Sequence, residues 1–185
     1  AIDDRSFETA LQVLSLLQDR RYNCGPNKRS ALLHLLQNKI DRLLDAVPPI
    51  TDNSPGRYHR VDFSMRDKLG APKREDGILV VFSRDFQPEG DDCDALLLAR
   101  AFRQGWKRFI VYGLKGQRFT GCSFGPATDG VRIDVYGSSG DYLASGIDGM
   151  EIQIHGQGQD QLGQILKRGT LVVHGDVGQA FMYGA

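Results

Sequence analysis

"GVRIDVYGSSGDYLASGIDGMEIQIHG", from Gly130 to Gly156, is the stretch on which the fold of this chain turns. It holds two short runs, RIDVYG and EIQIHG, in which apolar and polar residues alternate before a closing glycine, Gly137 and then Gly156. A third run, TLVVHG, closes on Gly175, so three such glycines stand 19 residues apart, and Gly113 precedes them by 24. Other positions keep step. Three residues after each closing glycine come Gly116, Gly140, Gln159 and Gly178, and six residues after come Phe119, Leu143, Leu162 and Phe181. Ile133 and Val135 are matched by Ile152 and Ile154, then by Leu171 and Val173.

A fixed period near 20 residues, with one short β-run per period, predicts stacked repeats. Nineteen residues suffice for one turn of a parallel β-helix, rising about 4.8 Å to the next. Matching apolar positions would then form inward ladders, and the glycines would turn corners that need a positive φ or close backbone approach. About three coils fit, with a five-residue insertion near "TGCSFGPATDG". The last coil stops half-way, at "GDVGQAFMYGA". Its open edge calls for a partner or for more chain, and continuation is the favoured expectation.

Upstream, residues 1–49 read as a helical hairpin. Phe7, Leu11, Leu14 and Leu17 keep helical spacing behind a capping Ser6, and Ser30 can cap a second helix carrying Leu32, Leu33, Leu36, Ile40, Leu43, Leu44 and Val47. Residues 50–76 carry no period and many basic residues, so they read as a linker or arm. Residues 77–112 read as a β-α-β unit: GILVVFS, a helix within DDCDALLLARAFRQG, and KRFIVYG. Residues 113–185 are the repeat domain. The expected fold is therefore mostly β with α: an incomplete parallel β-helix behind a β-α-β unit and a helical hairpin.

The glycine repeat, with "RFIVYGLKGQRFTG" and "GTLVVHGDVGQ" on either side of the opening stretch, resembles the C-terminal glycine-rich domain of the glutamate synthase large subunit. It is similar also to stand-alone glutamate-synthase-like subunits and to the repeat-bearing subunit of formylmethanofuran dehydrogenase. The resemblance covers roughly residues 85–185. It implies a right-handed β-helix with a structural role, bracing glutaminase and synthase components that carry FMN and iron–sulfur clusters. Gln159 departs from the repeat where the family has glycine, and residues 1–84 match nothing in that family.

The residues themselves offer little chemistry. Net charge is zero, which implies no pull toward nucleic acid or anionic membranes. No apolar run approaches the roughly 20 residues of a membrane span. Cys24, Cys93 and Cys122 are odd in number and far apart, which argues against a disulfide framework and for a cytoplasmic protein. The loops GLKGQRF, GSSGD and GDVGQ imitate phosphate cradles but lead into no helix, so they read as corners. His34 and His59 have no ligand partner at recognisable spacing. No catalytic, cofactor-binding or metal-binding residue is assigned, and the chain is not expected to be catalytic by itself.

What remains is a column. Tyr112, Tyr136, His155 and His174 each precede a closing glycine, and strand alternation points them away from the apolar ladders. His155 and His174 should stack about 4.8 Å apart. This is either a weak two-histidine metal contact or, as all four residues suggest, a solvent or partner face. The resulting expectation is a scaffold subunit of a glutamate-synthase-like oxidoreductase complex, with FMN and Fe–S held by partner subunits. A formylmethanofuran-dehydrogenase-type redox complex is the alternative, and a β-helical enzyme with a site on its outer face is a third reading.

Overall fold

The computed structural model describes residues 3–51 and 56–185 of the 185-residue chain. The first helix starts earlier than its sequence suggests. Asp3, not Ser6, is the cap, and its carboxylate accepts from the Ser6 N–H at 3.1 Å, so α1 runs Asp4–Asp19. A turn through Gly25 reverses the chain into α2, Arg29–Asp45, which follows Lys28 without a side-chain cap. The two pack as the expected hairpin.

Six strands follow: β1 Tyr58–Val61, β2 Ile78–Phe82, β3 Arg108–Tyr112, β4 Arg132–Tyr136, β5 Asp148–His155 and β6 Arg168–Val173. The helix α3, Asp94–Arg103, lies between β2 and β3 and begins after Cys93. Ser83 donates to Asp94 at 2.7 Å, tying the end of β2 to the head of α3. Every pairing is parallel, and the strands lie in chain order from β1 to β6 in one sheet.

This overturns the expected β-helix. The molecule is an open, all-parallel α/β sheet with flanking helices, arranged like a doubly wound fold, and not a solenoid. The physical reason is that both faces of the sheet are buried in this chain. Leu79, Val81, Phe109, Val111, Ile133, Val135, Ile152 and Ile154 point to one face, where they share a core with Leu97, Leu98 and Ala101 of α3 and with Phe124, Leu143 and Leu162 of the loops between strands. Val80, Ile110, Tyr112 and Tyr136 point to the other, where Phe7 and Leu11 of α1 and Ile40 and Leu44 of α2 cover them. Helices on both faces are the usual company of a parallel sheet.

Two further expectations change with it. Residues 50–76 are not an arm, because β1 is the edge strand of the sheet and a 3₁₀ turn at Phe63–Lys68 follows it. Residues 52–55 of that stretch lie outside the described residues. The β-α-β unit exists, with β2 and β3 parallel, but it is continuous with the repeat strands and not a separate lead-in. His59 is buried on β1, edge-on to Trp106 at 5.6 Å, and burial holds its pKa below the ordinary histidine value.

The 19-residue spacing is a register. Ile133 pairs with Ile152 and Ile152 with Leu171, while Phe109 pairs with Ile133 across the longer interval. Leu143 and Leu162, from the loops between strands, are fully buried in the α3-side core. The glycines hold the loops close. The Gly175 N–H donates to the Gly156 carbonyl at 2.9 Å, and a Cβ on Gly156 would strike the Gly137 carbonyl. A Cβ on Gly140 would strike the Gln117 carbonyl in the same way. Here glycine is required for approach, because the obstacle is backbone that cannot rotate aside.

Gly156→Ala is therefore expected to lower stability by about 1–3 kcal/mol in urea denaturation, as forced overpacking does. Gly70→Ala, where an added Cβ meets nothing within 4 Å and φ is not positive, should change it by less than about 0.5 kcal/mol. Equal effects would disprove the steric role of Gly156.

Candidate functional site

Strand alternation that buries Ile133, Val135, Ile152 and Ile154 on the α3 face sends Asp134, Tyr136, Gln153 and His155 to the other. Near β1–β3 that face is apolar; toward β6 it becomes polar, under the C-terminal half of α1. The Tyr136, His155 and His174 rings form a stack. Tyr136 and His155 have centroids 4.5 Å apart with planes at 13°, and His155 and His174 are 5.2 Å apart at 5°. The histidine stack expected from the repeat is present.

Its setting is not the one expected. Tyr112, Tyr136 and His155 are buried, so as a solvent or partner face the column is corrected: the chain's own hairpin covers it. Tyr112 donates to Asp45 of α2 at 2.8 Å. Ser15 of α1 meets the Tyr136 hydroxyl at 2.9 Å and donates to the Leu11 carbonyl, so the phenol is the donor in the first of these bonds. Burial pushes the Tyr136 pKa above the usual tyrosine value and keeps it neutral. Gln18 donates to the His155 carbonyl and, at 3.1 Å, to Gln37 of α2. Only His174 keeps appreciable exposure, with 27% of its side chain accessible.

His155 lies between two carboxylates. Its Nδ1 is 2.8 Å from Asp19 Oδ2, and its Nε2 is 3.2 Å from Asp134 Oδ1. Asp134 is in turn gripped by the Arg132 guanidinium through bonds of 2.9 and 2.8 Å. Burial disfavours the imidazolium, but the hydrogen bonds to Asp134 and Asp19 and their negative charge outweigh it. The His155 pKa is pushed up to about 8. Burial likewise raises Asp134, yet the bonds from His155 and Arg132 win and hold it below the usual carboxylate value. His174 Nε2 is 3.1 Å from Gln153 Oε1 and 3.7 Å from Asp19 Oδ2. One carboxylate oxygen of Asp19 thus faces both histidines, while its other oxygen, Oδ1, is buried with no hydrogen-bond partner.

A cavity of about 660 Å³ adjoins this cluster, between the hairpin and the turns at Gly113, Gly137, Gly156 and Gly175. Asp19, His174, Tyr136, Arg21 and Arg84 contribute to its wall. It therefore sits beyond the carboxyl ends of the parallel strands, where ligands of open α/β sheets bind. A second cavity of about 560 Å³ reaches Asp134 and His155 from the other side. No family model, curated protein or solved structure matches this chain. Its function therefore rests on these residues alone.

The cluster can hold a proton or a cation between Asp19 and His155, and Asp134 orients the ring for either. The repeat spacing marks His155 and His174 in the sequence, but nothing there marks Asp19, Asp134, Ser15 or Gln18. Asp19 is the last residue of α1, where a polar side chain ordinarily meets solvent, and it reaches His155 across 136 positions of chain. The repeat glycines stand where expected, closing β3, β4 and β5 and following β6, and their loops lead into turns and not helices. The cysteines lie apart from the cluster. Cys93 precedes α3, Cys24 lies in the hairpin turn, and burial pushes the Cys122 thiol up to about 11, so it stays protonated. His34 lies on α2 in the wall of the first cavity, away from the two stacked histidines.

The pH dependence of stability follows from the cluster. His155, raised from about 6.5 to about 8, stabilises the fold fully below pH ~6.5, and the contribution disappears as pH rises through 8. That loss is on the order of 2 kcal/mol. Asp134, lowered, contributes above the ordinary carboxylate pKa and loses its contribution as pH falls below that value. Thermal unfolding with chelator present should show greatest stability between about pH 5 and 6.5, and His155→Gln should flatten the alkaline limb. An alkaline limb unchanged in His155→Gln would show that the carboxylates do not charge this ring.

Proposed function

We propose that this chain is a non-catalytic scaffold module of a glutamate-synthase-like oxidoreductase assembly. It braces components that carry the glutaminase, FMN and iron–sulfur chemistry. The observation that supports this is the open edge of β6. Among the described residues, strands β2–β5 have hydrogen-bonded neighbours on both sides, whereas β6 is paired only with β5. β6 is the most exposed of the repeat strands, and its loops present large apolar groups. Ile165, Val177, Phe181 and Tyr183 are 62%, 40%, 40% and 73% exposed.

Unpaired strand edges with an apolar rim invite an added strand. The occupant we assign is a parallel strand of the partner component. It would present apolar residues beside Leu171 and Val173, as β5 presents Ile152 and Ile154 to them. Three cysteines without disulfides accord with a cytoplasmic setting. Among the described residues no helix is long and apolar enough to cross a membrane.

Mixing the full chain with purified glutamate synthase catalytic components should give a stoichiometric complex in analytical ultracentrifugation, and hydrogen exchange at residues 168–173 should slow. Phe181→Asp and Tyr183→Asp, both at exposed positions, should each weaken binding about tenfold or more, roughly 1.4 kcal/mol. Absence of a complex, a complex indifferent to both substitutions, or selective binding to a molybdopterin-enzyme component instead would each overturn the proposal.

A further inference from the structure

We infer that Asp19, His155 and His174 form a binding site for a divalent transition-metal ion of the zinc class. Their ligand atoms all lie within 4.8 Å of one another. Two imidazoles and one carboxylate make a donor set suited to zinc-like ions over the oxygen-seeking magnesium or calcium. Ligand atoms around a tetrahedral zinc stand about 3.3 Å apart, given bonds of about 2.0–2.1 Å. The separations here, 2.8 Å from Asp19 Oδ2 to His155 Nδ1 and 3.7 Å from Asp19 Oδ2 to His174 Nε2, bracket that value. To reach one centre with these atoms, the two imidazole rings, now stacked with their planes at 5°, tilt toward the ion so that each points a ring nitrogen at it.

Two independent features point the same way. The first is the Asp19 carboxylate: its Oδ2 faces both histidines, and its buried Oδ1 has no hydrogen-bond partner, a cost that an ion held by both oxygens would relieve. The second is the support behind His155. Its Nε2 faces Asp134 at 3.2 Å, and Arg132 fixes Asp134 in turn, which is the carboxylate–histidine arrangement that orients a metal-bound imidazole. When the ion enters, the proton between His155 Nδ1 and Asp19 leaves to solvent. His174 turns from Gln153 toward the ion. Three protein ligands leave a fourth position for water or a small ligand, and the 660 Å³ cavity walled by Asp19 and His174 gives access to it. All three ligands belong to this chain, so the site does not depend on the scaffold reading.

The test is titration of the full chain, stripped with chelator, with Zn(II) by calorimetry and with Co(II) by visible absorption. One ion per chain is expected, with the intense d–d bands of four-coordinate Co(II) and a higher melting temperature in Zn(II). His174→Ala, at a partly exposed position, and Asp19→Asn should abolish the bands. Asp134→Asn should weaken binding roughly 10- to 100-fold while leaving the stoichiometry unchanged. His34→Ala, in the wall of the same cavity, should bind as the parent does. Absence of saturable binding, or binding that survives both His174→Ala and Asp19→Asn, would overturn the inference. Equal loss in His34→Ala would overturn it as well.

Discussion

Both faces of the parallel sheet must be covered, and the rest of the structure follows from that constraint. Strands β2–β4 carry apolar or aromatic groups on both faces, so neither face can be left to water. One face is closed by α3, which the chain supplies between β2 and β3, together with Phe124, Leu143 and Leu162 from the loops between strands. The other is closed by the α1–α2 hairpin, whose stripe of Phe7, Leu11, Ile40 and Leu44 would otherwise lack an apolar partner. Fully burying side chains of this size is worth about 1.5–3 kcal/mol each. The hairpin and the sheet are therefore mutually dependent and not two modules.

The cover is not uniform. Over β1–β3 the hairpin meets Tyr58, Val80, Ile110 and Tyr112; over β4–β6 it meets Asp134, Tyr136, His155 and His174. The C-terminal half of α1 is polar in step, with Ser15, Gln18 and Asp19 facing those residues. Burying two carboxylates and an imidazole is costly unless each finds a partner. His155 answers Asp19 and Asp134, Arg132 answers Asp134, and Ser15 answers Tyr136. What is left over is one oxygen each of Asp19 and Gln18, so the imperfections in this network fall on neighbouring residues at the end of α1.

Much of this was legible in the sequence, and the misses have physical causes. The hairpin, the helix between β2 and β3 and the 19-residue register can all be read from periodicity, because local spacing determines them. β1 is missed because four residues, Tyr58–Val61, mix polar and apolar groups and take their strand character from the neighbouring β2. The fold class is missed because alternation tells that a strand has two faces but not what lies on the second. Tyr112, Tyr136 and His155 look outward from the repeat; only the long-range docking of residues 4–45 makes them interior. Asp19 carries no local signal at all, since its partners lie more than a hundred residues away.

The edge and the cluster are linked through His174. It follows β6 directly, its N–H donates to the Ile154 carbonyl at 3.0 Å, and its ring continues the stack of Tyr136 and His155. Each earlier ring in that stack is covered by the next strand's residue: Tyr136 by His155, and His155 by His174. His174 has no ring beyond it among the described residues and keeps its exposure for that reason. A strand added to β6 would supply the missing cover and lower the local dielectric around Asp19, His155 and His174, which strengthens every charge interaction among them. Occupancy of the edge and the electrostatics of the cluster are thus coupled through one side chain, whatever chemistry the cluster performs.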